Sequence, residues 1–218
     1  VAQMQSLSIT AIVRTPNTDE VWVAMALDAG ADGVLVPYCE TVDEVRHTAI
    51  KAKTHPLKGE YYEKVVATGE YPSEKSEKYL NNRHKDRIFI MGIESEPAAN
   101  RVEELIECAP IDAVFIGPND MTTSLGIPDE VDNPIYIDTL SKIIKAADDR
   151  GLPTMIHQQT ISTSAKAIEL GARFIMHSSD AGILLRGTQD EFAELRKIAG
   201  KKHGGVAEVV AEDTLDVV

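Results

Sequence analysis

Six short, almost wholly apolar runs punctuate this chain, and stretches of helical character separate them. They predict strands over Ser8–Arg14, Gly33–Pro37, Ile88–Ile93, Ala113–Ile116, Pro153–Ile156 and Phe174–Met176. A strand apolar on both faces needs cover on both faces, and alternating helices supply it. The pattern therefore indicates an α/β fold with a parallel sheet wrapped by helices. Three strand entries echo one another: Ala29-Gly30-Ala31-Asp32-Gly33, Ile111-Asp112-Ala113 and Leu170-Gly171-Ala172-Arg173-Phe174, as repeated βα units would.

The segments between the runs carry helix signals. Asn17 with Glu20, and Thr41 with Glu44, stand in capping-box positions. Every residue from Val21 to Leu27 is apolar. The best helical set there is Trp22, Met25, Ala26 and Ala29, and the outer side is expected to be covered by another subunit. Gly30 is the expected left-handed stop. The next helix carries Val45, Ala49 and Ala52. Residues 55–87 are polar and weakly periodic, and read as a long lid or binding loop with a short helical piece. Further helices are expected from Pro97 to about Cys108, from Pro134 to Gly151, over Ile161–Leu170, and around Phe192, Leu195 and Ile198 to near Gly200. Residues 1–203 thus form one domain, and 204–218 an acidic tail or exchanged arm.

Charge and cysteine usage exclude some functions. Lys and Arg number 22 against 35 Asp and Glu, a formal net charge of -13, which argues against nucleic-acid or anionic-membrane surfaces. Cys39 and Cys108 have no CxxC spacing, no apolar run reaches membrane-span length, and no signal-peptide pattern is visible. The expectation is a reduced, cytoplasmic location. The chain begins at Val1 rather than Met, which suggests a processed or partial product.

In parallel α/β folds the chemistry sits at the C-terminal ends of the strands. Glu94 and Asp120 follow two successive strands, 26 residues apart. Two close carboxylates repel unless a proton or cation intervenes, and oxygen donors favour Mg²⁺ or Mn²⁺. The plain alternative is a pair of solvated strand-end acids. Gly117-Pro118-Asn119-Asp120 offers a tight turn whose backbone N–H groups suit a carboxylate, or is an ordinary turn. Arg14 ends the first strand, where its planar fork fits an oxoacid or enolate oxygen; otherwise it forms a surface ion pair. His157 and His177 also end strands, as acid–base groups or as structural histidines. Cys39 has no base placed with it and reads as a small buried residue.

Ile93-Glu94-Ser95 and Phe115-Ile116-Gly117-Pro118-Asn119-Asp120-Met121, followed by Leu125-Gly126, resemble the HpcH/HpaI aldolase family, related to the citrate lyase β-subunit. The resemblance runs from about residue 8 to about 200 and includes Ile12-Val13-Arg14 and Ala29-Gly30-Ala31 through Val36-Pro37. It implies a (β/α)8 TIM-type barrel and a metal-dependent class II aldolase, one that cleaves a 4-hydroxy-2-oxoacid through a pyruvate enolate. It implies Glu94 and Asp120 as ligands of Mg²⁺, Mn²⁺ or Co²⁺, and Arg14 as the catalytic residue binding the pyruvate oxygens. Asn119 and Asp120 would hold the substrate carboxylate. A 2-oxoacid is the implied partner, in a homo-oligomer.

The sequence departs from the family in three places. The family's first two strands, the second ending in the acidic-His segment that supplies the base, precede the position of Val1. Gly92 stands where a glutamine is usual, two residues before the metal glutamate. Pro56-Leu57-Lys58-Gly59-Glu60-Tyr61 lacks the arginine of the family's Gly-x-Arg-Gly loop. The chain is therefore expected to have open strand edges, and to be poorly stable alone or completed by a partner. A catalytically impaired metal- or oxoacid-binding relative, or an acyl-CoA lyase of the same superfamily, remains the alternative.

Overall fold

The computed structural model describes residues 1–203, so the expected tail at 204–218 lies outside the described residues. Six parallel strands pair in simple sequence order: β1 (Ile12–Arg14), β2 (Gly33–Val36), β3 (Ile88–Ile93), β4 (Ala113–Ile116), β5 (Thr154–Gln158) and β6 (Phe174–His177). The sheet curls and stays open, with β1 and β6 each paired on one side only among the described residues. The first run is a strand only over its last three residues. A short helix, α1 (Ala2–Ser6), precedes it, and Gln5 donates to the Gly30 carbonyl.

Alternation along each strand sorts side chains between two faces. Val34, Val36, Phe89, Met91, Ile93, Val114, Ile116 and Ile156 face the helices and form the main core. Leu35, Ile90, Ala113 and Phe115, with Ile12, Ile88 and Met155, form a smaller core on the concave face. The sheet is thus apolar on both sides, as expected. The exception is β6, whose Phe174 and Met176 stay exposed.

The helices that bury the convex face are α2 (Glu20–Asp28), α3 (Val42–Thr54), α6 (Glu96–Asn100), α7 (Val102–Glu107), α9 (Pro134–Asp148) and α10 (Ile161–Glu169). Thr41 and Glu44 form the expected capping box of α3, and Val45, Ala49 and Ala52 are fully buried. The Asn17–Glu20 box does not form. Asp19 caps α2 instead, accepting from the Val21 amide, while Asn17 accepts from Asp19. The buried face of α2 is Val23, Ala26 and Leu27, so Trp22 and Met25 point to solvent. Residues 55–87 are not a long loop. They form α4 (Gly59–Thr68) and α5 (Glu74–His84), each anchored by a narrow stripe: Tyr62, Val65 and Val66, then Leu80 and His84. The helix expected from Pro97 breaks at Arg101 into α6 and α7. Residues 118–124 add α8 (Pro118–Ser124). The last helix, α11 (Asp180–His203), starts well before Phe192, and Phe192, Leu195 and Ile198 are exposed on it.

The echoed strand entries have a physical reason. Asp32 accepts from the Ala11 amide at 2.8 Å, and Asp112 accepts from the Phe89 amide at 2.7 Å. Each aspartate thereby ties the start of its own strand to the preceding one. At the third entry Arg173 binds Asp148 of α9 instead.

Gly33 marks where the inner layer is tightest. A Cβ there would lie 2.5 Å from the Ile88 carbonyl oxygen and 2.8 Å from Ile12 Cδ1. Gly33→Ala is therefore expected to lose about 1–3 kcal/mol of stability, read as a lower Tm by circular dichroism. Gly187→Ala, in α11 with nothing near the added methyl, is expected to leave Tm unchanged or raise it.

Candidate functional site

The same alternation decides which strand-end residues meet. Arg14 is two residues beyond Ile12, Gly92 and Glu94 continue Ile88 and Ile90, and Gly117 continues Ala113 and Phe115. All therefore belong to the concave face. The register pairs Gly92 with Phe115 and Phe115 with Met155. Continued one step along each strand, it sets Glu94, Gly117 and His157 in one row at the C-terminal rim.

Glu94 begins this row on the β3 side. It is only 3% exposed, although it is a carboxylate at a strand end. Arg14 Nη2 lies 3.9 Å from Glu94 Oε2, and the Tyr38 amide donates to the same oxygen at 3.2 Å. The Arg14 guanidinium stands over the Tyr38 ring, 5.5 Å from its centroid. Gly117 opens the space beneath. A Cβ there would fall 2.7 Å from Glu94 Oε1, so only glycine leaves the carboxylate where it is.

Burial pushes the Glu94 carboxyl up to about 7; Arg14 and the Tyr38 amide pull the other way, and Asp120 adds to the rise. Asp120 is thus near enough to be felt electrostatically, as the spacing of the two acids suggested. It is exposed, and with Asn119 it sits in the first turn of α8, so Gly117–Asp120 is a helix start rather than an isolated tight turn. Amides in a first turn have no carbonyl four residues back to accept their protons. Among the described residues no cluster of three or more His, Cys, Asp or Glu side chains is arranged to hold a metal.

The two strand-end histidines separate. His157 shares the concave face, half-buried, and its Nε2 lies 3.4 Å from the Gln159 side-chain amide. His177 pairs in register with Gln158, which places it on the opposite face, where its Nδ1 meets Ser164 Oγ of α10 at 3.0 Å. Among the described residues no histidine hydrogen-bonds to Arg14 or Glu94. Cys39 is fully buried, with its thiol pushed up to about 12 by desolvation, which fits a packing residue and not a nucleophile. Sequence reasoning missed Tyr38. Its one local signal is its place just past the Val36-Pro37 strand end.

The raised proton affinity of Glu94 has a consequence for stability. The folded protein holds this proton up to about pH 7, while the unfolded chain releases it near 4.5. Stability therefore falls as pH rises through that window and stays lower above it. In chelator-treated protein, Glu94→Gln is expected to raise stability above about pH 7 by up to roughly 3 kcal/mol and to make no difference below about pH 4.5. Thermal melts at both ends of the window check this.

Comparison with known proteins places the chain in a family. The family model for HpcH/HpaI aldolase/citrate lyase matches residues 1–186. A hydroxypyruvate/pyruvate aldolase from Sagittula stellata is 29% identical over 181 residues, 81% of this chain and 69% of the relative. A 5-keto-4-deoxy-D-glucarate aldolase from Salmonella arizonae is 26% identical over 182 residues, 82% of this chain and 69% of the relative. The crystal structure of an HpcH/HpaI aldolase/citrate lyase family protein from Burkholderia cenocepacia J2315 superposes with a TM-score of 0.75 at 25% identity, covering 89% of this chain and 77% of that one. Among the described residues no helix is long and apolar enough to cross a membrane. The chain, matched over most of its length, belongs to the HpcH/HpaI aldolase/citrate lyase family.

Proposed function

We propose that this protein is an aldolase-type lyase that cleaves a 4-hydroxy-2-oxoacid to pyruvate, with a divalent metal held by Glu94 and Asp120. The observation that carries this reading is the buried Glu94 carboxylate, whose proton affinity is raised beside a second carboxylate and only partly offset by Arg14. A hard cation satisfies such a pair, and two oxygen donors leave coordination positions for water and substrate, as Mg²⁺, Mn²⁺ or Co²⁺ would need. When bound, the metal supplies Lewis-acid polarisation of the 2-oxo group. The names of the relatives above, pyruvate and 5-keto-4-deoxy-D-glucarate aldolases, support an oxoacid substrate.

The chain's own residues bind and orient the oxoacid. Breaking the C3–C4 bond passes the proton of the 4-hydroxyl to solvent water as the C4 oxygen becomes the aldehyde carbonyl. The electron pair stays on the pyruvate half as an enolate on the C2 oxygen, and protonation at C3 from solvent gives pyruvate. Arg14, at the rim beside Glu94, donates to that oxygen as its charge grows. The amides of Asn119 and Asp120 hold the substrate carboxylate at the start of α8. The open edges of β1 and β6, the exposed Phe174 and Met176, and the uncovered Val21, Trp22 and Met25 support two further readings: a sheet belonging to a (β/α)8 barrel, and a homo-oligomer.

The test is pyruvate release from 4-hydroxy-2-oxoacids. Activity is expected to disappear with chelator and return with Mn²⁺. Glu94→Gln and Asp120→Asn are expected to abolish the metal response, and Arg14→Lys to lower kcat about 10²-fold. No release by the Mn²⁺-loaded protein would sink the aldolase reading. If Mn²⁺ and oxalate still bind, the chain is a non-catalytic relative; a response to CoA esters alone would mark an acyl-CoA lyase.

A further inference from the structure

We propose that Tyr38 is a positioning residue for the site, holding the Arg14 guanidinium over Glu94 with its ring. The Arg14 side chain is 45% exposed, and among the described residues it makes no hydrogen bond. Its charged partner among the described residues, Glu94 Oε2, is 3.9 Å away, beyond hydrogen-bond reach. A long side chain in that position has many rotamers open to it, and the Glu94 charge alone does not select one. The Tyr38 ring does, by presenting its face to the guanidinium at 5.5 Å.

The ring is itself rigidly placed. Tyr38 has φ +57, a left-handed conformation that a bulky residue keeps only where its surroundings demand it. The demand is visible on both sides of it. The Tyr38 amide donates to Glu94, and the Cys39 amide donates to the Gly92 carbonyl at 3.1 Å. The Glu40 carbonyl accepts from Arg101 at 3.2 Å, and Ser95 Oγ donates to the Glu40 carboxylate. Gly92 lets the strap lie this low: a Cβ there would sit 2.8 Å from the Val36 carbonyl oxygen and 2.9 Å from Pro37 Cα. One residue thus fixes both halves of the pair, Glu94 through its amide and Arg14 through its ring. The ring is substantially exposed, so it serves no core.

The kinetic part of this inference rests on the proposed lyase function, and the spectroscopic part does not. The full chain, labelled with ¹⁵N-arginine, reports the Arg14 Nε–Hε signal, assigned by its loss in Arg14→Lys. In the wild type and Tyr38→Phe the signal is expected to be displaced by the ring current. In Tyr38→Leu and Tyr38→Gly it is expected to move to the position of exposed arginines. Tyr38→Gly also relieves the left-handed strain, so its Tm is expected not to fall, which separates positioning from folding. With 4-hydroxy-2-oxoacid, kcat/KM is expected to drop about three- to tenfold in the Leu and Gly variants. It should be restored in Tyr38→Phe, with Mn²⁺ affinity unchanged throughout. An Arg14 signal that stays in place in both ring-less variants overturns the proposal, whatever the turnover. A wild type that moves no oxoacid while its Arg14 signal depends on the ring overturns the lyase reading and leaves the positioning role standing.

Discussion

A carboxylate held out of water at the end of β3 governs the rest of this site. Left alone, Glu94 would take up a proton near neutral pH, because burial disfavours its charge more than one arginine and one amide favour it. The arrangement around it supplies positive charge and an amide dipole. Arg14 comes from β1, the Tyr38 amide from the strap after β2, and the cleared space from Gly117 after β4. Each of these lies on a strand end brought alongside by parallel pairing in strict sequence order. A sheet in another order would scatter them.

The two cores explain why the site faces where it does. The convex face is deeply packed by helices, whereas the concave face carries one thin apolar layer of Leu35, Ile90, Ala113 and Phe115 with three partly buried neighbours. That layer ends one pleat short of the rim. After Gly92, which has no side chain to add to the layer, Glu94 is the next residue to face inward, and it is almost wholly buried. A carboxylate at this boundary is desolvated enough to have altered proton affinity.

Much of this was legible in the sequence. Runs apolar on both faces implied the parallel sheet, and Thr41 with Glu44 marked a helix start that the structure keeps. The spacing of Glu94 and Asp120 put two acids after adjacent strands, and the Asp120 charge adds to the rise in the proton affinity of Glu94. The failures have physical causes. In Val21–Leu27 every position is apolar, so periodicity could not choose between Trp22–Met25 and the buried Val23–Ala26–Leu27. Residues 55–87 fold as two helices whose stripes are too narrow to stand out among charged neighbours. His157 and His177 looked equivalent as strand-end histidines; one residue of parity sends the second to the helical side.

The deeper reason that the site is only half legible is that part of it is built from missing side chains. Gly92 admits the strap that carries Tyr38, and Gly117 admits the Glu94 carboxylate, each at a separation below 3 Å from the nearest atom a methyl group would meet. Neither needs left-handed backbone, so neither announces itself as a turn. A search for reactive residues finds Glu94, Asp120 and Arg14 and passes over the two positions that let the first be buried and the last be held. Substituting a glycine on the inner face would therefore disturb the chemistry while leaving every reactive group in the sequence. The space beside a carboxylate is as much a determinant of its behaviour as the charges around it.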